Sequence, residues 1–316
     1  ITFQGGDPLL NVPLVERTID HALEQAEGCG KEIRFELIGS GRLADPQTLA
    51  YLQKRDADIV VNLEPRSLDE LPLFHGSGPY SLAASGESGF ATTEPPRLHL
   101  HAHIDRHSLN LCERVRQALA RHPSARSILM KFTPLAAGSP GSITEEDMPK
   151  ALAGLEDLAD FVADHVLRGR GTWIGDFEDC IAQVLNHRTS LYYCGAGTRY
   201  LTVAPDGKLY VCPGLVGREA FSIGDVQEGI DRQQQREWIR STHVRRFTAC
   251  NSCWARNLCG GGCRLNSFLG SGEIQSPMPT SCDLIRKSYE LAMATGLEIA
   301  SASEEKMEQR YSEEAA

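Results

Sequence analysis

Seven of the ten cysteines form one pattern, which constrains the fold and function of this chain more than any other feature. They are Cys194, Cys212, Cys250, Cys253, Cys259, Cys263 and Cys282. Four thiolates complete one tetrahedral metal site, structural zinc included. Seven are too many for one such site, and they suit two metal clusters whose ligands come from shared segments. The pattern therefore indicates a redox-metal protein.

The run from 250 to 263 has the spacing Cys-x2-Cys-x5-Cys-x3-Cys, and its last cysteine follows Gly260, Gly261 and Gly262. In ferredoxin-like runs the last cysteine ligates a second cluster, so we expect Cys263 to face a different site from its predecessors. The glycines let the backbone approach the sulfurs and present N–H donors to them. Zinc is the alternative for this run alone, whereas the three further cysteines favour iron–sulfur clusters.

Composition excludes several classes of protein. The formal net charge is −10, whereas a nucleic-acid-binding surface needs a basic stripe, so we expect no nucleic-acid partner. No apolar run approaches the roughly 20 residues that cross a bilayer, and no signal-peptide pattern is visible. Ten cysteines among 316 residues are too sparse for a secreted disulfide scaffold. We therefore expect a cytoplasmic protein without a membrane partner.

Short apolar runs and amphipathic stretches alternate over the first half of the chain. The predicted strands are Ile1–Phe3, Glu32–Ile38, Asp58–Leu63, Arg97–Ile104 and Ser127–Thr133. The predicted helices are Pro13–Ala26, Pro46–Arg55, Ser108–Arg121, Glu145–Leu167 and Ile174–Arg188. Such alternation implies parallel strands joined by right-handed crossovers. The expected fold class is α/β: a partial (β/α)6 barrel of the TIM type, with its first strand missing from this sequence, followed by a small cysteine-rich domain.

Three domains are predicted along the chain. Residues 1–190 form the partial barrel. Residues 191–290 form the cysteine-rich domain, in which Tyr200–Ala204 and Leu209–Val211 pair as a hairpin around an Asp-Gly turn. Residues 291–316 are rich in glutamate and are expected to be a solvated acidic helix or a frayed tail.

The opening segment Ile1-Thr2-Phe3-Gln4-Gly5-Gly6-Asp7-Pro8 reads as a strand followed by a glycine turn. Together with the seven cysteines, it is similar to radical S-adenosylmethionine (AdoMet) enzymes that carry a SPASM domain. In that family the turn usually reads Gly-Gly-Glu-Pro, and its backbone holds the amino group of AdoMet. The resemblance implies that AdoMet is bound by Gly5, Gly6, Asp7, Pro8 and by Ser40, which lies in a turn where family members often carry Thr-Asn-Gly.

The resemblance also implies two auxiliary [4Fe–4S] clusters. Cys194, Cys212 and Cys263 would bind auxiliary cluster I. The implied ligands of auxiliary cluster II are Cys250, Cys253, Cys259 and Cys282. The full-length protein would bind AdoMet and a radical-generating [4Fe–4S] cluster, act on a peptide or protein substrate, and take electrons from a donor such as flavodoxin or ferredoxin.

The family holds its radical-generating cluster with Cys-x3-Cys-x2-Cys before the glycine turn, and this sequence contains no such triplet. Cys29, Cys112 and Cys180 are too far apart to replace it, and each is expected to be a small buried hydrophobic residue. The absent initial methionine and the unpartnered first strand favour loss of an amino-terminal segment over a degenerate relative. The chain by itself is then expected to be inactive.

The surroundings of the cysteines bear on the reaction. Sulfatase-maturing relatives have a fourth cysteine six positions after the first ligand and a catalytic Asp after the second, where this chain has Tyr200 and Pro213. Sulfatase maturation is therefore not expected, and auxiliary cluster I is expected to keep an open iron. Cys194–Gly197, Leu201–Gly207 and Tyr210–Cys212 resemble thioether-forming maturases of six-cysteine peptides and of quinohemoprotein amine dehydrogenase.

The predicted function is radical-based modification of a ribosomally made peptide, with a thioether between a cysteine sulfur and a carbon as the leading product. Carbon–carbon cross-linking or another peptide oxidation by the same machinery is the near alternative. A non-catalytic iron–sulfur or zinc scaffold that presents a peptide is the alternative from another class. The sequence identifies neither a catalytic acid or base nor the substrate peptide.

A second candidate site is the run His99-Leu-His101-Ala-His103, which places three imidazoles on one face of a strand. A metal site of amidohydrolase type would use this spacing. No downstream carboxylate or lysine completes such a site, so we expect ordinary strand residues, of which one or two line a cofactor cavity.

Three further features have weaker sequence signals. Trp254, next to Cys253, is expected to pack over a cluster and exclude water. Glu64 lies at the end of a predicted strand, a position where barrel enzymes place catalytic residues. The segment Gly76–Pro96 is rich in Gly, Ser, Pro and Thr and is predicted to be a loop.

Overall fold

The structure of this chain is a computed structural model that describes residues 1–63, 97–136 and 138–312. The chain divides into two units. Unit 1 contains Ile1–Phe132 with Arg170–Asp176, and unit 2 contains Thr133–Gly169 with Phe177–Ala316. Glu64 and the segment Gly76–Pro96 lie outside the described residues.

Unit 1 is built on a parallel sheet of six strands whose order in the sheet follows their order in the chain. The strands are β1 (Thr2–Phe3), β2 (Glu36–Gly39), β3 (Asp58–Leu63), β4 (Leu98–Ile104), β5 (Ser127–Phe132) and β6 (Trp173–Gly175). The helices of this unit are α1 (Val12–Cys29), α2 (Pro46–Lys54) and α3 (Leu111–Arg121). The predicted α/β class is confirmed.

The two faces of this sheet differ in chemistry. Side chains on one face of β3, β4 and β5 are apolar and buried: Ile59, Val61, Leu63, Leu98, Leu100, Ala102, Ile104, Ile128 and Met130. On the other face of β4, His99, His101 and His103 are only partly buried. His101 pairs in register with Asn62 of β3, and His103 with Lys131 of β5, so these polar side chains share that face. One face of these strands is therefore apolar, and the other carries polar side chains together with the buried Val60.

Local capping explains why α1 and α2 begin where they do. The Asn11 side chain accepts the Leu14 N–H at the start of α1. The Asp45 carboxylate accepts the N–H groups of Gln47 and Thr48, at 2.9 Å each, at the start of α2. The predicted helices in these regions are confirmed. The predicted start of the second strand is wrong, because the strand begins at Glu36.

The start of the predicted helix Ile174–Arg188 is also wrong. Trp173–Gly175 form β6 and pair with β5, with Ser127 opposite Trp173 and Leu129 opposite Gly175. The helix of this region, α5, runs over Phe177–Leu185. Three strand residues are too few to display a period of two, so the sequence does not reveal this strand.

Unit 2 contains a group of helices and a small antiparallel sheet. Its helices are α4 (Met148–Leu167), α5, α6 (Arg232–Thr242), α7 (Arg256–Cys259), α8 (Arg264–Ser271), α9 (Pro279–Ala302) and α10 (Glu304–Tyr311). The strands, in sheet order, are β10 (Gly229–Ile230), β9 (Ser222–Asp225), β8 (Lys208–Tyr210) and β7 (Thr202–Val203). The predicted hairpin is confirmed as the pair β7 and β8. Within the described part of the chain, no helix is both long and apolar enough to span a membrane.

The acidic carboxyl-terminal segment is a helix as far as Tyr311, and it is anchored. Glu178 of α5 is completely buried, and its carboxylate accepts hydrogen bonds from Arg310 at 2.5 and 2.8 Å and from the Tyr311 hydroxyl at 2.9 Å. Of the two alternatives expected for this segment, the helix is present in α10, and it is anchored rather than frayed. The predicted boundary at residue 291 falls within α9, and the three-domain division stays a prediction.

Candidate metal and cofactor sites

The first ligand of the predicted cluster I lies in a tightly closed loop. The Gly195 carbonyl accepts the N–H groups of Thr198, Arg199 and Tyr200 at 2.9, 2.8 and 3.2 Å, and the Gly197 N–H donates to the Tyr200 carbonyl at 2.9 Å. This closure brings residue 200 back to residue 194. The Tyr200 hydroxyl consequently donates to the Cys194 sulfur at 3.6 Å.

Helix α6 fixes the position of the same loop. The buried Trp238 donates its indole N–H to the Ala196 carbonyl at 2.7 Å, and Gln235 donates to the Gly197 carbonyl at 2.8 Å. Two different side chains of one helix thus hold two successive loop carbonyls. The placement of Tyr200 near Cys194 is therefore determined by packing within unit 2.

The other two thiols of this set belong to the same electrostatic neighbourhood. The pKa of Cys212 is raised to about 11, chiefly by burial, with smaller contributions from Cys263 and Cys194. Burial and Cys194 also raise the pKa of Cys263. The pKa of Tyr200 is raised by burial and by all three cysteines. Cys194, Cys212 and Cys263 are hereafter called thiol set I.

The other four of the seven patterned cysteines interact electrostatically with one another. They are called thiol set II: Cys250, Cys253, Cys259 and Cys282. Burial raises the pKa of Cys259 to about 11, with smaller contributions from Cys282 and Cys250. Burial, with Cys250 and Cys253 among the lesser causes, raises the pKa of Cys282. Burial and Cys253 raise the pKa of Cys250. These interactions run within the set that the family resemblance implies.

Backbone N–H groups point at the sulfurs of both thiol sets. Gly214 and Leu215 donate to Cys212, and Leu265 and Asn266 donate to Cys263. The donors to Cys259 are Gly261 and Gly262. These donors favour the thiolate over the thiol and are the contacts that tune iron–sulfur clusters. Two of the three glycines therefore supply N–H groups to a sulfur, as predicted.

Sequence reasoning missed Arg264, a buried cation beside the thiols. Its side chain is 5% exposed and donates to the Gly260 and Gly261 carbonyls at 2.8 and 2.9 Å. A Cβ atom at Gly261 would lie 2.6 Å from the guanidinium, so the glycine permits this approach. The signal in the sequence is a cation that directly follows the last cysteine of the run.

The donor chemistry of both thiol sets fits a thiolate-bound cluster. All seven cysteines are free thiols, N–H donors reach the sulfurs of Cys212, Cys259 and Cys263, and a buried guanidinium interacts with members of both sets. Within the described ranges, no group of three or more His, Cys, Asp or Glu side chains has metal-site geometry as it stands. The same finding applies to the three histidines of β4.

The predicted AdoMet-binding residues come together at the carboxyl ends of β1 and β2. Gly5 and Gly6 have φ values of 113° and 52°, which form the turn and favour glycine. The Asp7 carboxylate accepts the Leu9 N–H at 3.1 Å, the Ser40 N–H at 3.0 Å and the Ser40 hydroxyl at 2.5 Å. Asp7 therefore joins the glycine turn to the turn after β2. Pro8 begins the 3-10 turn that follows.

The three histidines lie on one face of β4, as predicted. The Nδ1 atom of His99 is 2.8 Å from the Ser127 hydroxyl, and its Nε2 atom is 3.7 Å from Asp58. Burial lowers the pKa of His101 to about 3, with smaller contributions from Lys131 and the two neighbouring histidines. His101 is therefore a neutral imidazole at physiological pH.

Two other expectations are wrong. Trp254 is 54% exposed, so it does not pack as a cover that excludes water. Cys29 is exposed, and Cys112 and Cys180 are only partly buried, whereas all three were expected to be buried hydrophobic residues. Each lies on a helix, where its sequence neighbours do not reveal which face is covered.

No protein-family model matches the chain. It is 22% identical over 298 residues to an uncharacterized protein of Archaeoglobus fulgidus, an alignment that covers 91% of this chain and 67% of that protein. It is 21% identical over 290 residues to mycofactocin maturase MftC of Mycobacterium ulcerans, covering 88% of this chain and 73% of the relative. The corresponding protein of Mycolicibacterium smegmatis is 21% identical over 288 residues, covering 88% and 69%.

Solved structures of anSMEcpe share the fold. The form with bound AdoMet and a Kp18Cys peptide aligns with a TM-score of 0.70 and 16% identity over 95% of this chain and 85% of that chain. A hexahistidine-tagged form with bound AdoMet aligns with a TM-score of 0.71 over 98% and 83% of the two chains. At this identity the likeness concerns the fold. Together with the sequence relatives, it confirms the predicted resemblance to radical AdoMet peptide maturases with a SPASM domain.

Proposed function

Since the chain resembles mycofactocin maturases in sequence and shares its fold with anSMEcpe, we propose that it binds AdoMet and two auxiliary clusters and modifies a peptide by radical chemistry. The separation of seven free thiols into two electrostatic neighbourhoods, each supplied with N–H donors, carries this proposal. A flavodoxin or ferredoxin as electron donor and a cytoplasmic location belong to the same proposal.

The roles of the residues follow from their chemistry. Gly5, Gly6, Asp7, Pro8 and Ser40 would hold AdoMet. Asp7 keeps the glycine turn in place through its bonds to Ser40, and the free backbone groups of the turn orient the ligand.

The two thiol sets would hold the auxiliary clusters, set I with three thiolates and set II with four. When bound, AdoMet supplies a carbon radical, and the clusters supply electron transfer and an iron that can take a substrate sulfur. The N–H donors at Cys212, Cys259 and Cys263 offset the charge of the thiolates.

The product that we propose first is a thioether. Its support is Tyr200, whose hydroxyl lies 3.6 Å from the Cys194 sulfur at the position where sulfatase-maturing relatives have a fourth cysteine. A neutral phenol is a weaker iron ligand than a thiolate, and Tyr200 is 43% exposed. Thiol set I therefore has an accessible side at which a substrate cysteine can bind.

Metal analysis of the purified chain tests the cofactor proposal. Two auxiliary clusters require about eight irons and as many sulfides per chain. Finding one zinc and no sulfide would contradict the proposal and favour a zinc scaffold.

The thioether proposal needs the complete gene product and the peptide encoded beside its gene. Mass spectrometry should show loss of two hydrogens from the peptide and protection of one cysteine from alkylation. Modification of a peptide that lacks cysteine would instead favour carbon–carbon cross-linking.

Variants of residue 200 test whether thioether formation requires an open iron in auxiliary cluster I. Tyr200→Cys adds a fourth thiolate to set I and should abolish the thioether product without reducing the iron content. Tyr200→Phe removes only the hydroxyl and should retain the product. Equal activity of the two variants would show that an open iron is not required.

A further inference from the structure

Arg264 is a buried cation whose hydrogen-bond acceptors are all uncharged backbone carbonyls. Its guanidinium donates to the carbonyls of Gly260 and Gly261, and its central carbon lies 4.0 Å from the centre of the Phe247 ring. No carboxylate forms an ion pair with it in the part of the chain that the structure describes. A guanidinium that is 5% exposed therefore lacks the carboxylate that buried arginines ordinarily require.

The surrounding sulfurs would supply the missing negative charge once they bind clusters as thiolates. Arg264 follows Cys263 directly in the sequence, and its bonds to Gly260 and Gly261 place the guanidinium over the backbone next to Cys259. Its electrostatic interactions reach Cys194 and Cys263 of thiol set I and Cys250 and Cys259 of thiol set II. One buried cation thus interacts electrostatically with cysteines of both thiol sets.

We propose that Arg264 is a positive charge shared by the two auxiliary clusters, which it holds at higher reduction potentials than they would have without it. This inference rests on the proposed function, because it requires clusters in both thiol sets. A nearby buried cation favours the more negative, reduced state of a cluster, and net charge is one of the determinants of cluster potential. Arg264 acts through charge and is a positioning residue rather than a catalytic one.

Arg286 provides a matched comparison within the same unit. Its side chain, which pairs with Asp283, interacts with Cys253 and Cys282, both of set II. It is 38% exposed, so solvent screens its charge more than that of Arg264. Removing Arg286 should therefore alter the potential of cluster II alone, and by less.

The test is a redox titration of the purified iron–sulfur protein, followed by electron paramagnetic resonance of each cluster. Arg264→Gln keeps hydrogen-bond donors for the two carbonyls but removes the charge, and should shift both midpoint potentials to more negative values. Arg264→Lys keeps the charge and should leave both potentials close to those of the wild type. Arg286→Gln should shift one potential only.

Each alternative outcome has a distinct meaning. If the wild type contains no clusters, the proposed function fails. If the wild type contains two clusters and Arg264→Gln shifts only one potential or neither, the shared-charge inference is wrong and the proposed function stands. Equal shifts in the Gln and Lys variants would also overturn it, since hydrogen-bond geometry would then be the cause. If Arg264→Gln loses iron while Arg264→Lys retains it, the Lys variant decides: wild-type potentials support the inference, and two shifted potentials overturn it.

Discussion

At the scale of single residues, Asp7 links the two turns of the proposed AdoMet site. Asp7→Ala removes the acceptor of the Ser40 N–H and hydroxyl groups. Hydrogen bonds to a charged group contribute about 1.5–3 kcal/mol, so we expect the affinity of the complete gene product for AdoMet to fall by about tenfold or more. Isothermal titration calorimetry measures this change.

Ser40→Ala is the matched control for that experiment. It removes the hydroxyl donor but keeps the Ser40 N–H, so its effect on AdoMet affinity should be clearly smaller than that of Asp7→Ala. Unchanged affinity in Asp7→Ala would place the AdoMet site elsewhere.

Residue identities were predictable to different extents. The division of the cysteines followed from the family resemblance, because ligand spacing is written in the sequence. The contact between Tyr200 and Cys194 depends on closure of the loop by Trp238 of α6, which lies 38 residues further along the chain from Tyr200. No local pattern could have revealed it.

At the scale of secondary-structure elements, β4 introduces sensitivity to acid through His101. Its pKa is lowered from 6.5 to about 3 in the folded protein, first by burial, so between these values the unfolded state binds more protons. The contribution of the neutral His101 to the free energy of unfolding is therefore fully present above pH 6.5 and is lost as the pH falls toward 3. Between pH 7.5 and 5.5 we expect His101 to cost about 1 kcal/mol of unfolding free energy, measured by urea unfolding at both values.

The variant His101→Asn should lose this part of the pH dependence. His21→Asn, which changes an exposed residue of α1, serves as the control and should follow the wild type. If His101→Asn also follows the wild type, His101 is accessible to protons in the folded state.

The attachment of α10 to α5 also belongs to this scale. Glu178→Ala leaves the largely buried Arg310 without its carboxylate, and breaking a buried pair in this way costs about 3 kcal/mol or more. Urea unfolding should show this loss, and limited proteolysis should cleave near the carboxyl terminus. Glu308→Ala, on the exposed side of α10, should change stability by no more than about 0.5 kcal/mol. Similar stability of the two variants would contradict an anchored helix.

The elements differ in how well the sequence reveals them. The strand β3 was predicted with its observed bounds and β4 to within one residue, since both are long enough to show a pattern. Strand β6 has only three residues, which are too few to show an alternation of apolar and polar side chains. The anchoring of α10 depends on Glu178, more than a hundred residues earlier, so composition alone suggested a solvated tail.

At the scale of the whole molecule, the two units should respond differently to loss of metal. Several thiols of unit 2 lie in or beside short 3-10 turns such as Thr248–Cys250 and Pro213–Leu215, whereas β3, β4 and β5 have a buried apolar face of their own. After a chelator removes the metal, we expect the backbone amide hydrogens of residues 194–212 and 250–263 to exchange faster. Mass spectrometry of the exchanged protein measures this.

Exchange in β3, β4 and β5 is the internal control and should not change. Equal acceleration in both units would mean that unit 1 depends on the metal as well. Unchanged exchange throughout would mean that the thiols bind no metal that contributes to folding.

The division of labour between the two faces of the parallel sheet affects how this chain can evolve. The apolar face of β3, β4 and β5 supplies the packing, so substitutions at Asn62, His99, His103 and Lys131 on the other face should be tolerated by the fold. A lineage can therefore explore new side chains at these positions without first acquiring compensating stability. Closely related chains should vary most on this face when their substrates diverge, while Leu100, Ala102 and Ile128 stay apolar.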